Sequence, residues 1–338
     1  MILRALVASV LLLTSTAAKS ECQGYRQLST KELLGAPISA VWGPDESAFV
    51  ADLTEPAVHH INRAGRLVWS LRSKGTGPGD VLRPYRIAWS GRLLFVYDFA
   101  ARDISTFDES GKFQRRFRLD LPLQTVDNIL AFGDSSLVVL GLTRVSKYES
   151  YAIHVFDASG RHRRSFAAAP LATDRARLAI SGAGTLSATP TGNILYTRKG
   201  PYQILEYKLD GELVRERNTP MRIGTVADSL VTIEVNESGT ERISSRAKEV
   251  TFPLLSISLG ESGLLTSVSK KGASLWWLEG KGSRPLSIEF KNAFAPSAWN
   301  PNSCELLGIG TIDEEPVLVA VSLRELSRSL KIQPITRC

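Results

Sequence analysis

An apolar residue followed seven positions later by a glycine recurs along this chain about every 50 residues. The pairs are Val58–Gly65, Ile104–Gly111, Ile153–Gly160, Ile204–Gly211 and Leu275–Gly282. Each segment has the pattern of a short strand that ends in a hairpin turn, where glycine supplies the positive φ that such turns need. The repeat therefore limits the chain to folds that are built from similar β units.

A second unit lies upstream of each hairpin and consists of a strand, a tight turn and another strand. It occurs six times, with turns that start at Gly43, Ser90, Gly133, Thr191, Gly260 and Asn300. Six units of four short strands each predict a six-bladed β-propeller with four antiparallel strands per blade. A parallel α/β fold is disfavoured because no amphipathic helix recurs between the strands. The predicted fold class is all-β.

The two ends of the chain predict how the ring of blades closes. The last unit supplies three strands, and Ser322 to Glu325 then has the Ser-x-x-Glu form that begins many helices. Leu323, Leu326 and Leu330 continue with helical spacing. We therefore predict a short C-terminal helix in place of a fourth strand, and an N-terminal strand around Tyr25 to Leu28 that completes the last blade.

The first 20 residues have the features of a cleaved secretory signal peptide. Arg4 precedes an apolar run from Ala5 to Leu13 that is too short to span a membrane, and small residues precede a cut after Ala18 or Ser20. We predict a signal peptide over residues 1–20 and one propeller domain over residues 21–338, in a periplasmic or secreted protein. No later apolar run is long enough to span a bilayer.

The chain has three cysteines, Cys22, Cys304 and Cys338, and two of them should pair in an oxidising compartment. Because both termini are expected at the last blade, a Cys22–Cys338 disulfide is the favoured clasp of the ring, with Cys304–Cys338 as the open alternative. No Cys-x-x-Cys spacing occurs, so the sequence does not support a zinc site. We predict neither a metal nor a cofactor.

Residues 82–117 resemble one repeat of the NHL type. The matching features are Pro84, the Ser90–Gly91 turn, Asp98 at the end of the second strand and the Asp108–Gly111 hairpin. The preceding loop, Lys74 to Asp80, is similar to the G-x-G-P-G element of secreted bacterial six-bladed propellers of the NHL/TolB-like class. The resemblance implies this fold for the exported chain. It leaves the activity open, since the class includes binders, scaffolds, lyases and lactonases.

Strand order predicts which face of a propeller binds a ligand. The connections from second to third strand, and from each blade to the next, lie on one face and vary in length. The longest are Ser73 to Arg83, Gly141 to Tyr151, Ala167 to Gly184, and Arg217 to about Lys248. Insertions in repeat folds gather on the face that binds the partner. We name this the loop-rich face, and the opposite one, with uniform turns, the short-turn face.

Candidate ligand-binding residues lie where strands meet the loop-rich face. They are Arg83, Tyr85, Arg86, Asp127, Asn128, Arg198, Lys199 and Tyr202. Arginine beside an aromatic residue suits carboxylate, phosphate or sugar-like ligands and protein hot spots. The alternative interpretation is that these are solvated loop residues.

Other residues that could carry chemistry are better explained by structural roles. The Gly75–Gly79 loop leads into a strand, so it lacks the helix start of a phosphate cradle. Asp52 and Asp98 should bond neighbouring loops. The four histidines should be packed or at the surface, because third strands and hairpins lie away from the axis: His59, His60, His154 and His162. The tryptophans that end three first strands should pack between blades: Trp42, Trp89 and Trp299.

The formal net charge of +7 is spread along the chain, so it is weak evidence for nucleic acid as a partner. The sequence favours an exported, monomeric, non-catalytic propeller that binds a protein, peptide or glycan through its loop-rich face, without nucleic acid. The alternative is an NHL-like lyase or lactone hydrolase with Asp127 and Asn128 at the mouth of the central channel.

Overall fold

The structure, a computed structural model, describes residues 25–29, 32–72, 75, 77–133, 135–143, 150–169, 184–198, 203–217, 230–235, 241–246, 252–258, 264–270, 273–279, 286–290 and 294–325. Its strands form six four-stranded antiparallel sheets and one two-stranded sheet. The prediction of an all-β propeller with four antiparallel strands per blade is confirmed. In the described ranges no helix is both long enough and apolar enough to cross a membrane.

Five of the four-stranded sheets are made of strands that follow one another in the chain. Sheet 1 contains β2 (Pro37–Trp42), β3 (Ala48–Asp52), β4 (Ala57–Ile61) and β5 (Leu67–Leu71), and sheet 2 contains β6 (Pro84–Trp89), β7 (Leu94–Asp98), β8 (Asp103–Phe107) and β9 (Phe113–Phe117). Sheet 3 contains β10 (Asn128–Phe132), β11 (Ser136–Leu140), β12 (Ser150–Asp157) and β13 (His162–Ala169), and sheet 4 contains β14 (Gly184–Ala188), β15 (Ile194–Arg198), β16 (Gln203–Tyr207) and β17 (Leu213–Arg217). Sheet 5 contains β20 (Phe252–Ser258), β21 (Leu264–Lys270), β22 (Ala273–Glu279) and β23 (Leu286–Phe290).

A separate hairpin lies within the segment that the sequence predicts as the longest loop. Its strands are β18 (Leu230–Val235) and β19 (Glu241–Arg246), which pair with each other in the two-stranded sheet. The prediction of an insertion after Arg217 is therefore right in position, but the insertion contains β structure of its own. The hairpin interrupts the repeat, so the periodicity of the sequence does not predict its strands.

Sheet 6 joins the two ends of the chain. Its order is β24 (Phe294–Asn300), β25 (Glu305–Ile312) and β26 (Glu315–Ser322), followed at the edge by β1 (Tyr25–Gln27), in the antiparallel pairing β1–β26. The Leu318 N–H also donates to Ser29 Oγ at 2.8 Å. A helix begins at residues 323–325, where the Glu325 N–H donates to Ser322 Oγ at 3.4 Å. The predicted N-terminal strand and the start of the C-terminal helix are confirmed, and Leu326 and Leu330 lie outside the described residues.

The first strands of the six sheets converge on one axis. β2, β6, β10, β14, β20 and β24 contact one another in this order, and β24 also contacts β2. A cavity of about 260 Å³ remains between them, which we name the central cavity. Many of its lining residues are small: Ser39, Ala40, Ala88, Ala131, Ser187, Ala188, Ser297 and Ala298. Small side chains are needed there because larger ones would keep the strands apart.

Apolar side chains fill the space between neighbouring sheets. Phe49 of sheet 1 is fully buried and shares a core with Leu94 and Phe107 of sheet 2. The Trp89 ring lies against Phe49 with centroids 5.0 Å apart, and Trp42 belongs to the core shared with sheet 6. Burying one such aromatic side chain contributes about 2–3 kcal/mol. Trp42 and Trp89 thus pack between blades, as predicted.

The predicted hairpin glycines adopt positive φ wherever the structure describes them. The values are 78° at Gly65, 82° at Gly111, 86° at Gly160 and 90° at Gly211. A Cβ at Gly160 would also lie 2.5 Å from the carbonyl oxygen of Arg118 in the neighbouring sheet. The glycine repeat therefore reflects both turn geometry and close packing between sheets, and Gly282 lies outside the described residues.

Asp98 ends β7 and ties two connections of sheet 2 together. Its Oδ2 accepts the N–H groups of Leu82 and Arg83 at 2.6 and 3.0 Å. Its Oδ1 accepts those of Ala100 and Ala101 at 2.9 and 3.0 Å. The first pair belongs to the chain that enters β6, and the second to the turn between β7 and β8. The predicted loop-bonding role of Asp98 is confirmed.

Asp52 plays the same part at the end of β3. Its carboxylate accepts the N–H groups of Gly35, Ala36 and Thr54 at 2.7, 3.0 and 2.9 Å. Both carboxylates are 2% exposed, so the backbone donors replace water as their partners. The predicted role of Asp52 is confirmed as well.

A proline and a β-bulge recur at the start of four first strands. The strand register shifts directly after Pro37, Pro84, Pro253 and Pro296. In sheet 2, Pro84 pairs with Asp98 and Arg86 pairs with Tyr97, so Tyr85 is the extra residue. Proline has no N–H to donate to a sheet, so a bulge is one of the few places in a strand that accepts it.

Cys304 is disulfide-bonded and fully buried in the turn between β24 and β25. A cysteine forms one disulfide, so a Cys304 bond within this chain takes either Cys22 or Cys338. The favoured Cys22–Cys338 clasp is therefore incompatible with this structure. The carbonyl of Cys304 accepts the N–H of Leu323 at 3.0 Å, so Cys304 lies beside the start of the C-terminal helix. Chain position alone did not indicate that proximity.

Replacing Asp98 with asparagine should lower the free energy of unfolding by about 2–3 kcal/mol. The amide keeps the shape but loses the charge and presents an NH₂ group to two of the N–H donors. Urea unfolding at neutral pH measures the change. Glu109→Gln, on an exposed hairpin of the same sheet, is the matched control and should be neutral. Equal stabilities for the two variants would contradict the role of Asp98.

Non-reducing peptide mapping should recover Cys304 in a disulfide-linked peptide. Cys304→Ser should lower the free energy of unfolding by about 2–5 kcal/mol, as is typical when a native disulfide is lost. A linked Cys22–Cys338 peptide together with a free Cys304 thiol would contradict this assignment.

Candidate functional site

Arginine and aromatic side chains in contact with one another form a row on the loop-rich face of sheet 2. The guanidinium carbon of Arg83 lies 5.1 Å from the ring centroid of Phe99. The rings of Phe99 and Tyr85 have centroids 5.4 Å apart, and the guanidinium carbon of Arg86 lies 4.0 Å from the Tyr85 centroid. We name these four residues the Arg–aromatic ladder. It runs from the exposed Arg83 to the half-buried Arg86.

The bulge after Pro84 accounts for the inner end of the ladder. Adjacent residues of a regular strand point to opposite faces of the sheet. Tyr85 and Arg86 are adjacent yet stack on each other, which requires the break in alternation that the bulge provides. Phe99 is held in the turn that Asp98 fixes, and its N–H donates to the carbonyl of Arg83 at 2.9 Å. The backbone on both sides of the ladder is therefore fixed by hydrogen bonds.

Phe99 is the residue that sequence reasoning missed. It is 44% exposed, and among the large apolar side chains that the structure describes as exposed it is the one aromatic. An aromatic ring left in water at a loop-rich surface is a common feature of a protein interaction site. The available signal was its position directly after Asp98, in a turn between second and third strands.

Arg86 connects the ladder to the central cavity. Its Nε donates to the carbonyl of Asp127 at 2.5 Å and its Nη1 to the carbonyl of Tyr85 at 2.9 Å. Its Nη2 donates to neither of these carbonyls, and the guanidinium also interacts with the Tyr85 side chain. Burial lowers the pKa of Arg86, an effect that Tyr85 and Asp127 oppose, but the guanidinium stays protonated at neutral pH. Arg86 and Asn128 both line the central cavity.

The central cavity is polar at one end and aromatic at the other. Its first strands begin at the loop-rich face with Arg86 and Asn128 and end towards the short-turn face with the tryptophans. The indole Nε1 atoms of Trp42 and Trp299 are buried without a hydrogen-bond partner among the described residues. The side-chain amide of Asn128 likewise has no partner there. The cavity therefore presents several N–H donors to whatever occupies it.

The structure brings together five of the predicted ligand-binding residues and places a sixth elsewhere. Arg83, Tyr85, Arg86, Asp127 and Asn128 cluster where sheets 2 and 3 meet the axis. The remaining two, Lys199 and Tyr202, lie outside the described residues.

Arg198 is the predicted residue that lies apart from this cluster. It is 8% exposed, its Nη1 donates to Gln203 Oε1 at 2.7 Å and its Nη2 donates to the carbonyl of Ala168. Ala168 belongs to sheet 3, so these bonds join two sheets. Beside it, burial raises the pKa of Tyr196 to about 12. Arg198 therefore packs between two sheets. The sequence predicted it at the ligand-binding surface, and the structure places it elsewhere.

The glycine-rich loop before β6 binds a carboxylate of its own chain. Asp80 Oδ2 accepts the N–H of Gly77 at 2.7 Å. A Cβ at Gly75 would lie 2.2 Å from the same oxygen, so the loop can approach Asp80 only without side chains there. The interpretation of this loop as a turn, rather than as a phosphate cradle, is consistent with these contacts.

The histidines bond to serines away from the axis. His59 Nδ1 lies 2.7 Å from Ser70 Oγ, and His60 Nε2 lies 2.9 Å from Ser47 Oγ. Burial lowers the pKa of both rings, and both are less than a tenth exposed. Within the described ranges no group of three or more His, Cys, Asp or Glu side chains is placed to hold a metal ion. The predicted packed role holds for these two rings.

His154 is part of a chain of hydrogen bonds in sheet 3. Its Nε2 lies 3.2 Å from the carbonyl of Gly141, which makes this nitrogen the donor. Its Nδ1 then accepts from Ser165 Oγ at 2.7 Å, and His162 Nε2 lies 2.8 Å from the same hydroxyl. Burial lowers the pKa of His154 to about 4. A proton on Nδ1 would face the serine hydroxyl that now donates to it, so the neutral ring suits this network.

Comparison with solved structures shows the fold. The chain is similar to a Bacteroides fragilis protein described as a presumed exported protein, with 12% identity, a TM-score of 0.61, and coverage of 88% of this chain and 93% of that one. It is similar to virginiamycin B lyase from Staphylococcus aureus, with 10% identity, a TM-score of 0.53, and coverage of 88% and 98%. It is also similar to YCF48 from Cyanidioschyzon merolae, with 12% identity, a TM-score of 0.51, and coverage of 89% and 99%. No protein-family model and no curated protein matches the chain. These likenesses show a β-propeller.

Acid should destabilise the protein through His154. The ring is neutral when folded and has a pKa near 6.5 when unfolded, so its contribution is complete above pH 6.5 and is lost as the pH falls towards 4. The loss from this group is about 3 kcal/mol. Urea unfolding between pH 7.5 and 4.5 measures the slope, which should be shallower in His154→Gln. Parallel slopes for wild type and variant would contradict the assignment.

Proposed function

We propose that this protein is an exported, non-catalytic propeller that binds a peptide or protein segment through the Arg–aromatic ladder. Phe99 carries the proposal, because it is an exposed aromatic ring held between Tyr85 and Arg83 on the loop-rich face. Arginine, tyrosine and large aromatic residues supply most of the binding energy in protein interfaces.

The ladder is also preorganised. The Asp98 carboxylate fixes the backbone before and after it, and two backbone carbonyls hold the Arg86 guanidinium. Binding to side chains that are already fixed costs less conformational entropy than binding to side chains that must first become ordered. This favours a binding surface over a purely structural stack, for which an exposed ring would be unnecessary.

The wider assignment is a six-bladed ring of the NHL/TolB-like class, secreted after removal of residues 1–20. Support for the ring comes from the six four-stranded sheets and from the contact between β24 and β2. Support for export comes from the leader pattern and from the likeness to a protein described as a presumed exported protein. The lyase or lactone hydrolase alternative remains a prediction from the sequence, since none of the described contacts favours it.

Selection of peptides from a displayed random library on the immobilised protein tests the proposed surface. Peptides that bind the wild type should bind Phe99→Ala at least about tenfold more weakly, because loss of one central aromatic contact typically costs more than 1 kcal/mol. Fluorescence anisotropy measures the dissociation constants.

Leu213→Ala is the matched control, since Leu213 is 49% exposed on the outer strand of sheet 4, two sheets from the ladder in sheet order. Its affinity should equal that of the wild type. If the selected peptides bind Phe99→Ala as tightly as they bind the wild type, the ladder is not the binding surface.

A further inference from the structure

We infer that the partner is an acidic segment, and that one of its side-chain carboxylates enters the mouth of the central cavity and pairs with Arg86. This inference rests on the proposed function, because it assigns a chemical class to the ligand of the same surface. It follows from the charges around the ladder, from the geometry of Arg86 and from the size of the cavity.

Three arginines lie on this part of the loop-rich face. Arg83 and Arg102 are exposed, and Arg86 is half-buried. The ion pairs of the described chain involve other arginines and a lysine, and none of these three forms an ion pair within those ranges. A cluster of positive charge attracts an acidic partner.

The carboxylates near the ladder are engaged within the protein. Asp98 accepts four backbone N–H groups, and Asp103 lies 3.6 Å from the Nε of Arg116. The negative charge of Asp127 acts on Arg86, and the carbonyl of Asp127 accepts the bond from Arg86 Nε. Asp103 is paired with Arg116, so the charges of Asp98 and Asp127 stand against three guanidinium groups, which leaves one net positive charge on this surface.

Arg86 is held ready to bind one carboxylate oxygen. Stacking on Tyr85 and bonds to two carbonyls fix the plane of the guanidinium, and neither of these bonds uses Nη2. Asn128 lines the same cavity and can donate a second N–H from its amide. Since Arg86 is half-buried, an ion pair there is screened less by water than one at the surface.

The central cavity has room for a side chain. Its volume of about 260 Å³ exceeds that of an engineered cavity of about 150 Å³ that holds benzene. An acidic side chain fits this space, while the rest of the segment would lie across the ladder. An apolar residue of the same segment can then cover Phe99.

Two labelled hexapeptide libraries that differ at one central position test the inference on the full chain. One library has glutamate there and the other has glutamine, which matches its shape without the charge. The glutamate library should bind about tenfold more tightly at low salt. Raising the salt from about 50 to about 300 mM should reduce this difference.

Arg86→Met should remove the preference for glutamate, and Arg86→Lys should restore part of it, because lysine keeps the charge but lacks the planar donors. Arg66→Met, on a hairpin of the short-turn face, is the matched control and should keep the full preference. Circular dichroism and urea unfolding verify that each variant is folded, and the comparison of libraries on the wild type does not depend on any variant.

Equal binding of the glutamate and glutamine libraries, with binding still lost in Phe99→Ala, would overturn the acidic class but leave the proposed surface intact. Binding that is indifferent to Phe99→Ala would overturn the proposed surface, and the inference with it. A glutamate preference that persists in Arg86→Met would place the carboxylate at another arginine and would also overturn the inference.

Discussion

The convergence of six strands on one axis is the constraint from which the other features follow. The strands can meet only if the residues between them are small, and Ala40, Ala88 and Ala131 are examples from three sheets. Close approach at the axis then forces the sheets to pack face to face further out, where Phe49 and Trp89 meet. Connections are left to the two ends of the axis, and the ladder lies at one of these ends.

Two local devices convert this general fold into a specific surface in sheet 2. The bulge after Pro84 allows Tyr85 and Arg86 to share one face, and the Asp98 carboxylate joins the loop before the strand to the turn that carries Phe99. Both devices recur in sheet 1, at Pro37 and Asp52. The scaffold is therefore repeated, and the side chains placed on it differ from one sheet to the next.

The sequence was informative wherever the repeat applies and uninformative where it stops. Glycine spacing predicted the hairpins, and the positive φ of Gly65 and Gly111 explains why that signal is strong. Phe99 was missed because its importance comes from exposure beside Tyr85, a contact between strands that spacing does not encode. The place of Cys304 in a disulfide was not favoured for a similar reason, since Cys304 lies beside Leu323 only after sheet 6 has formed. Arg198 was predicted at the surface because its hydrogen bond to the neighbouring sheet is not encoded in the local sequence.

The closure of sheet 6 has a consequence for biosynthesis. The hydrogen bond between Leu318 and Ser29 joins residues that are 289 positions apart, and β1 has no strand to pair with until β26 has been made. Contacts of such long range slow folding, and an unpaired edge strand exposes the nascent chain to aggregation. The completed ring can therefore form only after synthesis of nearly the whole chain.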